Sequence, residues 1–223
     1  ISGYVDGMLD GTVPKNKRMQ YLSIVSQEMQ RLKILISSML NLTKFDNGTI
    51  EIHYQLFPIQ DLAFRTILMF ESRLEKRNIT LEGLDSEPVQ VWGDPDLIGQ
   101  VIYNLFENAT KFVNTGGTIT FTFKDEPNNT SIAIRNTGAG ISKEELPKIF
   151  ERFYKSDDSR SHDKTGLGIG LDITKHIVRL HKAQISVSSE EGEYTEFLIR
   201  LPKKDAPAES PTENPEKQPK DAR

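Results

Sequence analysis

Leu22, Val25, Met29, Leu32, Ile36 and Met39 are spaced 3, 4, 3, 4 and 3 residues apart, which puts six apolar side chains on one stripe of a helix. Such a stripe has to be covered, so this stretch cannot stand alone in water. Gln, Glu, Arg and Lys fill the intervening positions, while Leu35 and Leu42 widen the stripe beyond a two-helix seam. The pattern predicts a helix from Lys15 to Phe45, ended by the turn signal Asp46-Asn47-Gly48. Tyr4 to Leu9 reads as the last turns of an earlier helix, broken by Gly11 and Pro14. A hairpin of two helices buries too little by itself. Two copies would complete a four-helix bundle, and a helix lying on its own domain is the other option.

With 223 residues, at roughly 100 to 200 per domain, the chain holds one full domain and a smaller piece. Its 28 Lys and Arg against 32 Asp and Glu give a net charge of −4, which leaves no global basic excess for nucleic acid. Without cysteine there is no disulfide framework, thiolate metal site or cysteine nucleophile, and a reducing compartment fits. No apolar run approaches the roughly 18 residues needed to cross a bilayer, and Ile1-Ser2-Gly3-Tyr4 has neither an initiator Met nor a signal-peptide profile. The expectation is a soluble piece of something longer. From Lys204 onward Pro207, Pro211, Pro215 and Pro219 alternate with polar residues, which predicts a disordered tail, with a short interaction motif as the alternative. The expected division is a helical hairpin over 1–48, a globular domain over 49–203 and a tail over 204–223.

The globular part has an α+β pattern. Strands are expected at Ile50 to Leu56, Ile79 to Leu84, Thr118 to Lys124, Ser131 to Asn136, Gln184 to Ser188 and Thr195 to Leu201, and helices at Ile59 to Arg77, Pro95 to Lys111 and Leu171 to His181. Asp94 before Pro95 is an N-cap and first-turn pair. One sheet with helices on one face, a two-layer sandwich, accommodates this order.

Four stretches carry chemistry. Asn104 and Asn108 lie four apart on the helix from Pro95, beside an apolar face of Leu97, Val101, Leu105 and Ala109. Amide oxygens are hard neutral ligands suited to a Mg²⁺ that carries phosphate, with Lys111 and Phe112 following one turn on. Read alone, the pair is equally compatible with exposed amides. Asn136-Thr137-Gly138-Ala139-Gly140 at a strand end allows close approach to a ligand, or is a simple tight turn. Gly166-Leu167-Gly168-Ile169-Gly170 opens a helix, where backbone N–H groups and the helix dipole favour an anion. This is neither a dinucleotide fingerprint nor a Walker loop. The polar run Lys155 to Thr165 before it has the composition of a lid. Ile149-Phe150-Glu151-Arg152-Phe153-Tyr154 leads into that run and is equally compatible with core.

In this order the four stretches resemble the N box, first glycine box, F box and second glycine box of sensor histidine kinases, over about Ile50 to Pro202. Thr195-Glu196-Phe197 looks like a remnant of the last box. Arg31-Leu32 and Asp46 to Glu51 resemble the second half of the family's dimerisation and phosphotransfer hairpin. The resemblance implies a Bergerat-type ATP-binding fold, ATP and Mg²⁺ as cofactors, and phosphoryl transfer to a histidine. It assigns Asn108 to Mg²⁺ and Asn104 beside it as a catalytic residue. Lys111 and Lys155 would reach phosphate oxygens, Phe112 and Tyr154 would flank the nucleotide, and Asn136 would face the adenine amine. Gly138 and Gly140 would floor the base pocket, and Gly166, Leu167, Gly168 and Gly170 would form the phosphate turn, with Thr195 also in the ATP site. Partners so implied are a second copy through the hairpin and a response-regulator receiver domain, with a cytoplasmic location and a parent anchored in the cell membrane.

Two departures stand out. Asn136 occupies a position the family usually fills with Asp, keeping an acceptor but losing the charge. The family's phosphoacceptor, in a His-Glu-x-x-x-Pro context, would lie upstream of Ile1. His53, His162, His176 and His181 are expected to be surface or packing residues, so this stretch is expected to bind ATP without phosphorylating itself. A DNA-gyrase-like or mismatch-repair-like ATPase, and a nucleotide-gated scaffold without phosphoryl transfer, are the alternatives. The former use a Glu one turn before the Mg²⁺ ligand, where this chain has Asn104, while Glu107 is expected to point elsewhere.

Overall fold

The computed structural model describes residues 2–26, 28, 29, 32, 36, 51–154 and 168–204. Helix α1 (Ser2–Leu9) is followed by a 3-10 turn at Lys15–Lys17 and by helical backbone at residues 18–26, 28, 29, 32 and 36. Tyr4 and Tyr21 pack with ring centroids 5.3 Å apart, so the two helices meet as a hairpin. Leu22, Met29, Leu32 and Ile36 of the expected stripe are all exposed in the single chain. The expected helix end at Asp46-Asn47-Gly48 and the tail 205–223 lie outside the described residues.

The globular part has strands β1 (Gln55–Pro58), β2 (Thr80–Glu82), β3 (Gln90–Gly93), β4 (Thr118–Asp125), β5 (Asn129–Thr137), β6 (Gln184–Glu190) and β7 (Tyr194–Pro202). Its helices are α2 (Ile59–Lys76), α3 (Pro95–Phe112) and α4 (Gly170–Leu180). A five-stranded sheet runs in the order β2-β4-β5-β7-β6, with β2 parallel to β4 and the other pairs antiparallel.

The expectation of a single sheet is corrected at one end. β1 pairs antiparallel with β3 in a separate two-stranded sheet, and the strand expected at Ile50 to Leu56 is confined to Gln55–Pro58. His53 N–H donates to Asp94 Oδ2 at 2.9 Å instead of entering a ladder, which is why regular pairing begins only after it. β3 was not expected: four residues are too few for the alternation of Val91 and Trp92 to register as a period.

The alternation Thr118 to Phe123 buries Ile119, Phe121 and Phe123 against the helices, and β5 and β7 do the same with Ile132, Ile134, Phe197, Ile199 and Leu201. α3 lies at the centre of the helix layer. Its Leu97, Val101, Leu105 and Ala109 face is buried as expected, and Phe106 bridges the layers, edge-on to Phe70 of α2 at 5.4 Å and 5.5 Å from Phe121. Each such fully buried large side chain contributes about 2–3 kcal/mol. Both ends of α3 are fastened. Asp94 Oδ1 accepts from Asp96 N and Leu97 N, a cap worth about 1 kcal/mol. At the other end the Arg77 guanidinium donates to the Thr110 and Val113 carbonyls, a cation where the helix dipole is negative.

His181, 2% exposed at the end of α4, donates through Nδ1 to Ile177 O and accepts at Nε2 from Asp94 N–H. Both bonds together require the neutral ring. Burial pushes its pKa below 6.5, although the Ile177 bond and the Asp94 charge pull the other way. A depressed folded pKa means the stabilisation is full above the unfolded value and is lost as pH falls through the folded one. The unfolding free energy from urea titrations should therefore fall from pH 7 to pH 5 with a slope of up to about 1.4 kcal/mol per pH unit, and His181→Gln should flatten that fall. Identical pH profiles for the two proteins would contradict this account. Among the described residues no helix is long and apolar enough to cross a membrane.

Candidate nucleotide site

The helix-facing side of the sheet is apolar through its middle rows, with Thr130 buried at one end and a polar row at the other. Phe121, Ile134, Phe197 and Val187 are neighbours in register, and two residues along the strands the row becomes Ile119, Asn136, Thr195 and Ser189. Asn136 and Thr195 are 3% and 5% exposed. A buried polar row in an apolar face has to be hydrogen-bonded, and this one is. Asn136 Nδ2 donates to Thr137 O at 3.1 Å, while Ser189 Oγ donates to Tyr194 O and lies 3.0 Å from Thr195 Oγ1. With Nδ2 so engaged, Asn136 Oδ1 is the atom left to accept from an exocyclic amine.

The Asn136-to-Gly140 turn is fastened to the β6–β7 hairpin. Gly138 N–H donates to Glu193 O, Gly192 N–H to Ala139 O, and Ile141 N–H to Ser189 Oγ. Val113, just after α3, forms an antiparallel bridge with Gly138. A Cβ on Gly138 would come 2.2 Å from Phe112 O, so only glycine lets the turn approach the end of α3 this closely. Phe112 is 36% exposed beside this turn, a flat apolar face at the rim of the polar row.

At the other end of the site α3 meets the glycine turn. Asn104, 6% exposed, donates through Nδ2 to Gly170 O at 3.0 Å and to Thr174 Oγ1 at 3.4 Å. Its amide thus positions the start of α4 instead of facing solvent. Among the described residues no hydrogen bond engages the half-buried Asn108 amide, one turn on. Spacing had made the two amides equivalent; packing separates their roles. Lys111 Nζ lies 3.4 Å from Glu107 Oε1, an i,i+4 ion pair along α3. From Asn104 to Phe112 α3 rises about 12 Å, linking the glycine turn to the polar row with Asn108 midway.

The F-E-R-F-Y stretch divides. Ile149 is 8% exposed, and Phe150 packs edge-on to Phe197 at 6.2 Å, so these two are core. Phe153 is 70% exposed with a positive φ of 65°, and its N–H donates to Gly168 O at 3.0 Å. Tyr154 is half-buried and donates through its hydroxyl to Glu145. Lys155, Gly166 and Leu167 lie outside the described residues, as does His162.

The Asn136-to-Gly140 turn at the C-terminal end of α3 and Gly168 to Gly170 beside Asn104 in its middle thus flank the helical turn that bears Asn108, next to one buried amide-hydroxyl row. A family model described as histidine kinase-, DNA gyrase B-, and HSP90-like ATPase matches residues 93–205. The chain belongs to this ATPase family. It is 32% identical over 205 residues to the sensor protein SrrB of Staphylococcus aureus, covering 91% of this chain and 35% of that protein. The chain therefore spans about a third of the length of the sensor proteins it matches. Among solved structures, histidine kinase ShkA in complex with AMPPNP aligns with a TM-score of 0.67 at 20% identity, over 89% of this chain and 42% of that one. Histidine kinase ThkA in complex with the response regulator TrrA aligns with a TM-score of 0.59 at 23% identity, over 90% and 56%. At these identities the likeness to the solved structures is one of fold.

Ser189, Arg152 and Asp172 lie beside these candidate site residues and were not singled out in sequence. The one local signal was the alternation Ile185-Ser186-Val187-Ser188-Ser189, which puts a hydroxyl where an apolar residue was due.

Proposed function

We propose that this chain is the catalytic portion of a sensor histidine kinase, binding MgATP and transferring its γ-phosphoryl group to a histidine borne on a hairpin helix. The observation that carries the reading is the buried row Asn136–Thr195–Ser189, held against the end of α3 by Gly138. In this reading Asn136 Oδ1 accepts from the adenine amine, with Thr195 beside it, over a floor of Gly138 and Gly140, and Phe112 and Tyr154 flank the nucleotide. Asn108 is the Mg²⁺ ligand, Lys111 and Lys155 meet phosphate oxygens, and Gly166, Leu167, Gly168 and Gly170 line the phosphate turn. The ion, when bound, neutralises charge developing on the phosphates. Lys111 exchanges Glu107 for phosphate, and Asn104 keeps the phosphate turn in register with Asn108. Asn104 also argues against the hydrolytic branch of the family: its amide offers no base where that chemistry needs one, and Glu107 is paired with Lys111.

The division into a hairpin over 1–48, a catalytic domain over 49–203 and a tail is part of the proposal. So are a homodimer through the exposed stripe of Leu22, Met29, Leu32 and Ile36, a response-regulator receiver as partner, and membrane anchoring of a longer parent. Calorimetry with magnesium and AMPPNP tests the nucleotide reading, and absence of heat at millimolar ligand would overturn it. Labelled ATP given to a chain extended upstream through its reading frame should leave acid-labile phosphate on a histidine; phosphate release without a phosphoprotein would favour the ATPase branch.

Asn136→Asp separates two effects. A carboxylate strengthens the bond to the adenine amine, so the Kd for magnesium AMPPNP should fall by roughly three- to tenfold. The same change removes the donor to Thr137 O and should lower stability by about 1 kcal/mol. Unchanged or weaker binding would remove Asn136 from the base pocket.

A further inference from the structure

Asp172 is the third residue of α4, and its side chain is 9% exposed. A carboxylate in the first turn draws on the positive end of the helix, which is the same end an incoming phosphate would use. Two groups face it. Arg152 Nε lies 3.0 Å from Oδ2, and His176 Nδ1 lies 3.3 Å from Oδ1 and 2.9 Å from the Asp172 carbonyl oxygen. Arg152 reaches Asp172 from the F-E-R-F-Y stretch, one residue before Phe153, whose N–H donates to Gly168 O. Among the described residues the stretch is thus joined to the entry of α4 by a backbone bond and by an ion pair. The backbone bond does not need the arginine side chain.

We propose that Arg152 is a positioning residue for the nucleotide: it neutralises Asp172 and draws that carboxylate aside, so that the first turn of α4 can receive phosphate. The inference rests on the reading of the glycine turn as the phosphate end of the site. Arg152 acts through Asp172, in contrast to Lys111 and Lys155, which meet phosphate directly. The distinction has a signature. If neutralisation is the role, the harm done by losing Arg152 comes from the charge it leaves behind, and removing that charge repairs it. A tether or a direct phosphate contact would not be repaired in this way.

The test titrates the full chain with magnesium AMPPNP as wild type, R152Q, R152K, D172N and R152Q/D172N, with a thermal melt on each. R152Q should raise the Kd by about tenfold or more, D172N should change it less than R152Q does, and the double variant should return to within about threefold of wild type. R152K keeps the charge and should also stay within about threefold. R152Q binding like wild type, or the double variant binding as weakly as R152Q, overturns the proposal. If R152Q does not fold, the other variants decide: R152K and the double variant must both bind, and a tenfold loss in either overturns it. Wild type without measurable binding would instead overturn the nucleotide reading itself.

Discussion

The expected result of Asn108→Ala is a loss of magnesium AMPPNP binding of about a hundredfold or more, with an unfolding midpoint unchanged or slightly raised. In the proposed reading Asn108 would hold Mg²⁺ through its neutral amide oxygen, and truncation would remove that ligand. The stability side follows from the helix. Asn108 lies within α3, half-buried, with no hydrogen bond engaging its amide among the described residues. Alanine is the better helix former by roughly 0.5 kcal/mol, so truncation costs the fold nothing. Asn104→Ala should behave oppositely. It strips Gly170 O of a donor and leaves a gap at a 6% exposed site, so it should lower the midpoint as well as binding. Parallel loss of stability and affinity in Asn108→Ala would place that residue in the scaffold and overturn its assignment to the metal.

Gly140→Ala should destabilise the globular domain by about 3 kcal/mol or more in urea unfolding. Two costs add. The residue sits at φ +71°, where an L side chain is strained by about 1–2 kcal/mol, and its Cβ would stand 2.2 Å from Glu190 O. Backbone cannot rotate out of the way as a side chain can, so the turn and the β6–β7 hairpin must separate. That separation breaks the Ala139–Gly192 and Ile141–Ser189 bonds and with them the support of the polar row. Gly116 is the control: its φ is +74° with nothing within 4 Å, so Gly116→Ala should cost only the backbone strain. Equal effects at the two positions would mean that the contact with Glu190 does not matter.

How much could be read in advance follows from what each signal measures. The α3 face, its Asp94-Pro95 start, the Thr118 to Phe123 alternation and the helix after the last glycines were all legible, because periodicity and caps report which side of a single element is buried. The order of the four motifs was enough to suggest the ATPase family. His53 and the strand expected around it were misplaced, because the partner of its N–H, Asp94, lies 41 residues away. The short β3 was missed for the same reason: its strand character depends on β1 beside it, not on its own four residues.

The sequence by itself determined the elements, their apolar faces and the set of polar residues available for a nucleotide. Only the tertiary structure decided which of them work together. It aligned Asn136 with Thr195 and Ser189 through strand register, committed Asn104 to Gly170 across 66 residues while no hydrogen bond among the described residues engages Asn108, and set Arg152 against Asp172. Local spacing fixes the direction of a side chain relative to its own helix or strand. Which group it meets depends on how separate elements dock, and no short-range pattern encodes that.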